Sequence, residues 1–230
     1  MRTLLLFTIC LVPSLPALAE PYQATLTTNT ETGSVSYELP GTTVFKDLAW
    51  KETVNVPVGT VVKTASAGTA KVDIFPGGRM LALPNSSFKV NSLSVQTAGD
   101  AITKRQALIA LETGTLKTLL SHRGGNTSPI NFAIKTPTGV AAARGTKYVV
   151  CVVKGITYVE VIEGTVDVNG TLVDPGQIAE ITSQGVVDLV TYGDLPSDVQ
   201  GDLSQAIQTT SDGGLPTINA SDAAGSQHAN

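Results

Sequence analysis

Cysteine, histidine and aromatic residues are all scarce in this chain of 230 residues: two Cys, two His and 5% Phe, Trp and Tyr. One of the cysteines, Cys10, lies in an apolar leader, so a processed chain keeps Cys151 alone and forms no internal disulfide. Cys151 sits in the apolar string "YVVCVV", which predicts a buried small hydrophobe. A nucleophilic cysteine or serine needs a base, and only His122 and His228 are available, the second in a polar tail. His122 adjoins Ser121, too close along the chain to form a working nucleophile–base pair, and no G-x-S-x-G surrounds that serine. Basic charge is scarce too, with 15 Lys+Arg against 19 Asp+Glu, which argues against a nucleic-acid partner. No metal-ligand spacing and no EF-hand pattern occurs; Asp73, Asp167 and Asp174 are scattered beside turns. The expectation is a protein that is not an enzyme and holds no cofactor and no metal.

Long apolar runs are also missing. Leu4–Val12 is too short to span a bilayer and is followed by Ala17-Leu18-Ala19 before Glu20. With Arg2 ahead of it, residues 1–19 read as a cleavable signal peptide, which predicts export to the periplasm or outside the cell and a mature chain without a transmembrane anchor.

What the chain does have is Val, Ile and Thr in short alternating runs between Gly, Pro, Asn and Asp. "TVVKT", "TAKVDIF", "SFKVNSLSVQT", "TKYVVCVV", "ITYVEVIE" and "VVDLVT" all fit half-buried or buried strands. This predicts an all-β fold, a short solenoid or roll, or a sandwich. "YQATLTTN" and "SVSYEL" read as a first hairpin turning at Thr32-Gly33. "AITKRQALIALE" stays open between a strand and a helical turn or two.

Toward the C-terminus, "LPSDVQGDLSQAIQTT" predicts one short helix within 193–210. Ser197 would cap it, and Val199, Leu203 and Ile207 would face the edge of the sheet. Residues 211–230 are small and polar and predict a disordered tail. The segments are therefore a leader (1–19), an N-terminal β and loop segment (20–55), a β domain (56–192), the helix (193–210) and the tail.

Two echoes run through the β region. Gly-Thr precedes an aliphatic residue at Gly59, Gly114 and Gly164, and Lys-Thr leads through a turn into a strand at Lys63 and Lys135. Such repetition fits stacked β units, although Gly-Thr pairs are common in β-proteins.

The densest motif is "IKTPTGVAAARGTKYVV", residues 134–150. Thr136-Pro137-Thr138-Gly139 fits a type I turn with Pro at its second position. Three alanines permit close backbone approach, and Gly145-Thr146 leads into an apolar strand. Between them Arg144 could grip an anion or hold the fold together. No phosphate loop surrounds it, so the expectation is a buried arginine paired with Glu160 or Glu163, costing about 3 kcal/mol on truncation to alanine.

Residues 56–182 resemble the FecR domain family. Thr136, Pro137, Gly139, Arg144, Gly145, Thr146, Tyr148 and Val150 match its T-P-x-G-x-x-x-x-R-G-T-x-[FY]-x-V string. "LETGTLK", "VIEGTVDVN" and "VDPGQIAEI" match its other segments in order. The resemblance implies a periplasmic, non-enzymatic β-module that works by contact with other envelope proteins. In the namesake proteins an anti-sigma segment and one membrane helix precede the module, and here a leader stands in their place. The expected function is binding of a protein or glycan in the cell envelope, with β-augmentation as one mode. A structural role in an extracellular layer is the alternative, and a secreted hydrolase the third.

Overall fold

Alternating Val, Ile and Thr leave each strand with one apolar edge to bury, and two sheets stacked face to face bury them together. The computed structural model describes residues 22–30, 33–98, 101–121 and 130–208. The readings made for the leader, Thr32, His122 and the tail from 211 onward lie outside these residues.

The first sheet contains β1 (Ala24–Thr28), β4 (Thr53–Val56), β6 (Ala70–Phe75), β7 (Gly78–Ala82), β12 (Lys147–Val153), β13 (Ile156–Glu163), β16 (Ile178–Ile181) and β17 (Val187–Val190). The second contains β2 (Val35–Glu38), β3 (Lys46–Leu48), β5 (Val61–Thr64), β8 (Ser87–Ala98), β10 (Ile130–Lys135), β11 (Val140–Ala143), β14 (Val166–Val168) and β15 (Thr171–Val173). One long strand, β9 (Ala101–Leu120), belongs to both: its first part pairs with β8 and β10, its last part with β7 and β12. The spatial order is β4-β1-β6-β7-β9-β12-β13-β16-β17 in the first sheet and β3-β2-β5-β8-β9-β10-β11-β14-β15 in the second. Every pairing is antiparallel except β9 with β10. The fold is all-β and, of the forms left open by sequence, sandwich-like; a solenoid would stack parallel coils.

The segment "AITKRQALIALE" is therefore strand. The expected first hairpin does not form: β1 pairs with β4 and β6, whereas β2 pairs with β3 and β5 across the core. Ala24 and Leu26 point into the core from one wall and Val35 from the other, so each segment contributes its apolar edge to a different sheet. Strands β1–β4 also place residues 24–56 in the same two sheets as the rest of the β region.

The three glycines of the Gly-Thr echo, and the Gly-Thr pair at Gly145, mark four of the places where the chain changes sheets. Gly59 lies between β4 and β5, Gly145 between β11 and β12, and Gly164 between β13 and β14, while Gly114 is the point at which β9 itself crosses. All four have positive φ, from 63° to 97°, a region that glycine enters without steric cost. The threonine that follows is buried at Thr60, Thr115 and Thr146.

Between the sheets, Leu26, Val72, Met80, Val150, Val159 and Ile181 of the first meet Val62, Phe88, Ile109, Phe132, Ile134 and Val166 of the second. Phe75 and Phe132 pack edge to face across the core, 6.3 Å between ring centres. Strand β12 is buried on both faces: Tyr148, Val150 and Val152 line this core, while Val149 and Cys151 face outward under the helix.

That helix, α1 (Ser197–Gln208), covers the outer face of the first sheet rather than an edge. Val199, Leu203 and Ala206 are buried against Leu83, Val149, Cys151, Tyr158 and Ile178. Ile207 is 43% exposed, because the i, i+4, i+7 spacing of Val199, Leu203 and Ala206 centres the apolar stripe one residue earlier than Ile207. Ser197 is the first helical residue, and the Pro196 carbonyl accepts from the Gln200 N–H. Among the described residues no helix is long and apolar enough to cross a membrane.

A carboxylate lies on the same outer face. Glu160 is half-buried in register between Val149 and Ile178, and its Oε2 is buried without a hydrogen-bond partner. Burial raises its pKa above the ordinary 4.5. Between the unfolded and the higher folded pKa the native state holds the extra proton, so stability falls as pH rises through that window. Glu160→Gln should therefore raise the melting temperature at neutral pH, with the gain vanishing below about pH 4. A gain equal at both pH values would show that ionisation of Glu160 is not its source.

Candidate functional site

The hairpin from β10 to β11 turns through the Thr136–Gly139 segment. Thr136 N–H donates to the Gly139 carbonyl (2.8 Å), and the Thr136 hydroxyl accepts from the Gly139 N–H (3.1 Å). The same hydroxyl accepts from Thr157 Oγ1 of the facing sheet (2.8 Å), which itself accepts from Thr138 Oγ1 (2.7 Å). Thr136 and Thr157 are both buried, so this hydroxyl chain ties the turn to the opposite layer. Gly139 serves for space rather than for a left-handed φ: a Cβ there would stand 2.6 Å from Asn169 Nδ2. Asn169 accepts from the Val140 N–H (2.8 Å) and donates to the Gly185 carbonyl (3.2 Å), a position a larger residue would take away.

Arg144 is not where the sequence reading put it. The side chain is exposed, and neither Glu160 nor Glu163 reaches it. Alternation explains this: Ala141 and Ala143 point into the core, so residue 144 turns outward at the corner where Gly145 carries the chain to the first sheet. Glu160 faces out from the far side of the sandwich, and Glu163 stands opposite Lys147. Thr146 is buried and its carbonyl accepts from the Leu120 N–H (2.9 Å), locking the corner to β9. Four of the six motif residues (Thr136, Gly139, Gly145 and Thr146) hold the turn or the corner; Pro137 lies in the turn, and Arg144 projects to solvent.

Two described arginines are buried, Arg79 beside Asp73 and, more deeply, Arg105. Arg105 is 0% exposed on β9, its Nη1 donates to the Pro76 carbonyl (2.7 Å), and its guanidinium lies 6.0 Å from the Phe75 ring centre. Burial lowers its pKa from the usual range. The sequence signal for it was parity, since Arg105 shares its face with Ala107, Ile109 and Leu111 once the segment is read as strand.

Arg144 stands at the rim of an open groove of about 670 Å³ on the outer face of the second sheet. Ala133 and Ala142 form its floor, Asn131 and Thr165 flank the arginine, and Asp167 and Leu172 close the other side. Leu172 is 66% exposed. Asp167 is held by its own turn, accepting from the Gly170 N–H at 2.7 Å. A second hollow of about 290 Å³ adjoins through Asn131 and continues over Gln106, Leu108, Ser92 and Ser94. Among the described residues no element packs on this face, in contrast to the helix-covered face behind.

The remaining candidates are structural. Asp73 pairs with Arg79 at 2.6 Å, and Asp174 accepts from Thr165 Oγ1 at 3.1 Å. Cys151 is fully buried, and its thiol donates toward Asp202 of α1 (3.7 Å) with the Thr115 hydroxyl 3.2 Å away. Burial first, then Asp202, pushes that thiol up to about 12, so it stays protonated near neutrality.

Comparison with known proteins returned no match among curated sequences. Two crystal structures of a candidate anti-sigma factor from Parabacteroides distasonis ATCC 8503 align with TM-scores of 0.42 and 0.43 at 12% identity. Each alignment covers 57% of this chain and 59% of the other, so this chain spans about three fifths of their length. Residues 60–167 match the family model described as FecR protein, a span that runs from β5 into β14 and includes the sheet-changing glycines Gly114, Gly145 and Gly164. The chain contains a FecR domain.

Proposed function

We propose that this protein is an exported, non-catalytic envelope-signalling module that binds a protein or glycan through the outer face of its second sheet. FecR-domain proteins are envelope-associated, and the domain match supports this setting. The observation that carries the choice of surface is the asymmetry of the sandwich: α1 covers one outer face, and the other holds an open groove with an exposed arginine at its rim. The edges are poorer candidates for β-augmentation. Strands β3, β4, β15 and β17 each pair on one side only, and none exceeds four residues, which leaves few main-chain groups to offer a partner.

A photoactivatable residue placed at Leu172 tests the surface in living cells. It should crosslink to an envelope component, whereas the same residue at Lys154, beside α1, should not. Equal labelling from both positions, or none from Leu172, would remove the face from consideration. Fractionation of the same cells should find the chain outside the cytoplasm.

A further inference from the structure

We propose that the groove face binds a carboxylated polysaccharide laid across the strands; this rests on the reading of that face as the binding surface. Although the whole chain is acidic, with a formal charge of −4, the outer face from β8 to β15 carries Lys89, Lys104, Lys135 and Arg144. Lys89, Lys135 and Arg144 are exposed, Lys104 is half-buried, and none of the four has an ion-pair or hydrogen-bond partner among the described residues. Two carboxylates share the face: Asp167 in the groove accepts a hydrogen bond from its own turn, and Glu112 is exposed on β9 beyond Ala110, so four cations face two anions. The cations are spread rather than gathered: Lys89 and Lys135 both align with Ala110, whereas Arg144 and Lys104 lie toward the other end of the strands. A distribution of this kind suits a polymer carrying repeated charges better than one small anion.

The polar groups narrow the class further. Ser94, Gln106 and Asn131 are in register across β8, β9 and β10, and Arg144 follows just past the end of β11, the next strand. They supply one hydrogen-bonding side chain per strand at intervals of about 4.8 Å. An extended peptide advances about 3.3 Å per residue and does not keep step with that row. Its backbone would also find no partners, because the N–H and C=O groups of this sheet are taken up by their own ladders. No aromatic side chain lines the groove from outside (Phe132 packs inward against Phe75), so the face lacks the anchors on which protein interfaces concentrate their energy. A chain of sugar rings presents hydroxyls on every ring, can place one ring per strand over the alanine floor, and brings carboxylates to the lysines.

Affinity electrophoresis of the full chain in gels containing polygalacturonate provides the test, with dextran, poly-glutamate and single-stranded DNA in parallel. Retardation is expected in polygalacturonate alone, weakening as salt is raised. Arg144→Ala and Lys135→Ala should each weaken it about tenfold. Asn131→Ala should weaken it about threefold with the salt dependence unchanged, and Lys71→Ala on the opposite sheet should leave it intact. Equal retardation by poly-glutamate or DNA would reduce the face to a general polyanion binder and overturn the carbohydrate assignment. Absence of retardation while crosslinking from Leu172 persists would overturn that assignment alone, and loss of both would remove the binding surface itself.

Discussion

Arg105→Ala should destabilise the fold by about 3 kcal/mol, while Arg144→Ala should change stability by no more than about 0.5 kcal/mol. The first substitution removes a side chain with no solvent exposure, leaves the Pro76 carbonyl without its charged donor and opens space beside Phe75. The carbonyl matters because Pro76 lies in the β6–β7 turn, so the arginine ties that hairpin to β9 across the core. Arg105→Met keeps most of the volume without the donor and should lose about half as much, which separates the packing contribution from the hydrogen bond. Arg144 has no such partner, and its loss should register in binding instead. Urea unfolding of the four proteins decides the matter; equal losses at both positions would return Arg144 to a structural role.

The same two arginines show what the sequence could and could not reveal. Strand character was readable almost everywhere, because Val, Ile and Thr alternate between turn residues and the interior needs one face of each strand. The ambiguous stretch was "AITKRQALIALE", whose alanines and leucines satisfy both periods. Until it was known to be strand, parity could not place Arg105 with Ala107 and Ile109. In "VAAARGT" the difficulty was the reverse. The element was clear, but three successive alanines do not say which face is inward, so the side of Arg144 was undetermined.

Longer-range features were less accessible still. Hairpin logic joined the first two strands locally, whereas the core claims them for opposite sheets. The groove was invisible because it is assembled from Asn131, Ala142 and Leu172 on three different strands and Thr165 on the link into a fourth, all unremarkable residues. Register alone brings them together.

The Gly-Thr pairs were legible as a repetition but not as a device, and Gly114 gives the sharpest means of testing what they do. Here the chain does not leave a strand to change sheets; β9 itself crosses, with φ at +85° in mid-strand. A Cβ at this position would stand 2.5 Å from Ser86 Cα, 2.5 Å from Ser86 Oγ and 2.6 Å from the Asn85 carbonyl oxygen. Two of these atoms belong to the backbone and cannot swing aside. The Ser86 hydroxyl is also occupied, donating to the Thr115 carbonyl (3.1 Å) and accepting from the Thr115 N–H (2.9 Å). Gly114→Ala thus combines left-handed strain with a backbone clash and should cost about 4 kcal/mol. Gly201→Ala is the matched control: it lies within α1, a Cβ there meets nothing within 4 Å, and alanine should stabilise the helix by about 1 kcal/mol. A Gly114→Ala protein that unfolds at the wild-type urea concentration would show that β9 can cross between sheets without a glycine. The expected large loss would establish the crossing as the constraint that fixes both sheets at once, since β7 and β12 on one side and β8 and β10 on the other all take their register from this strand.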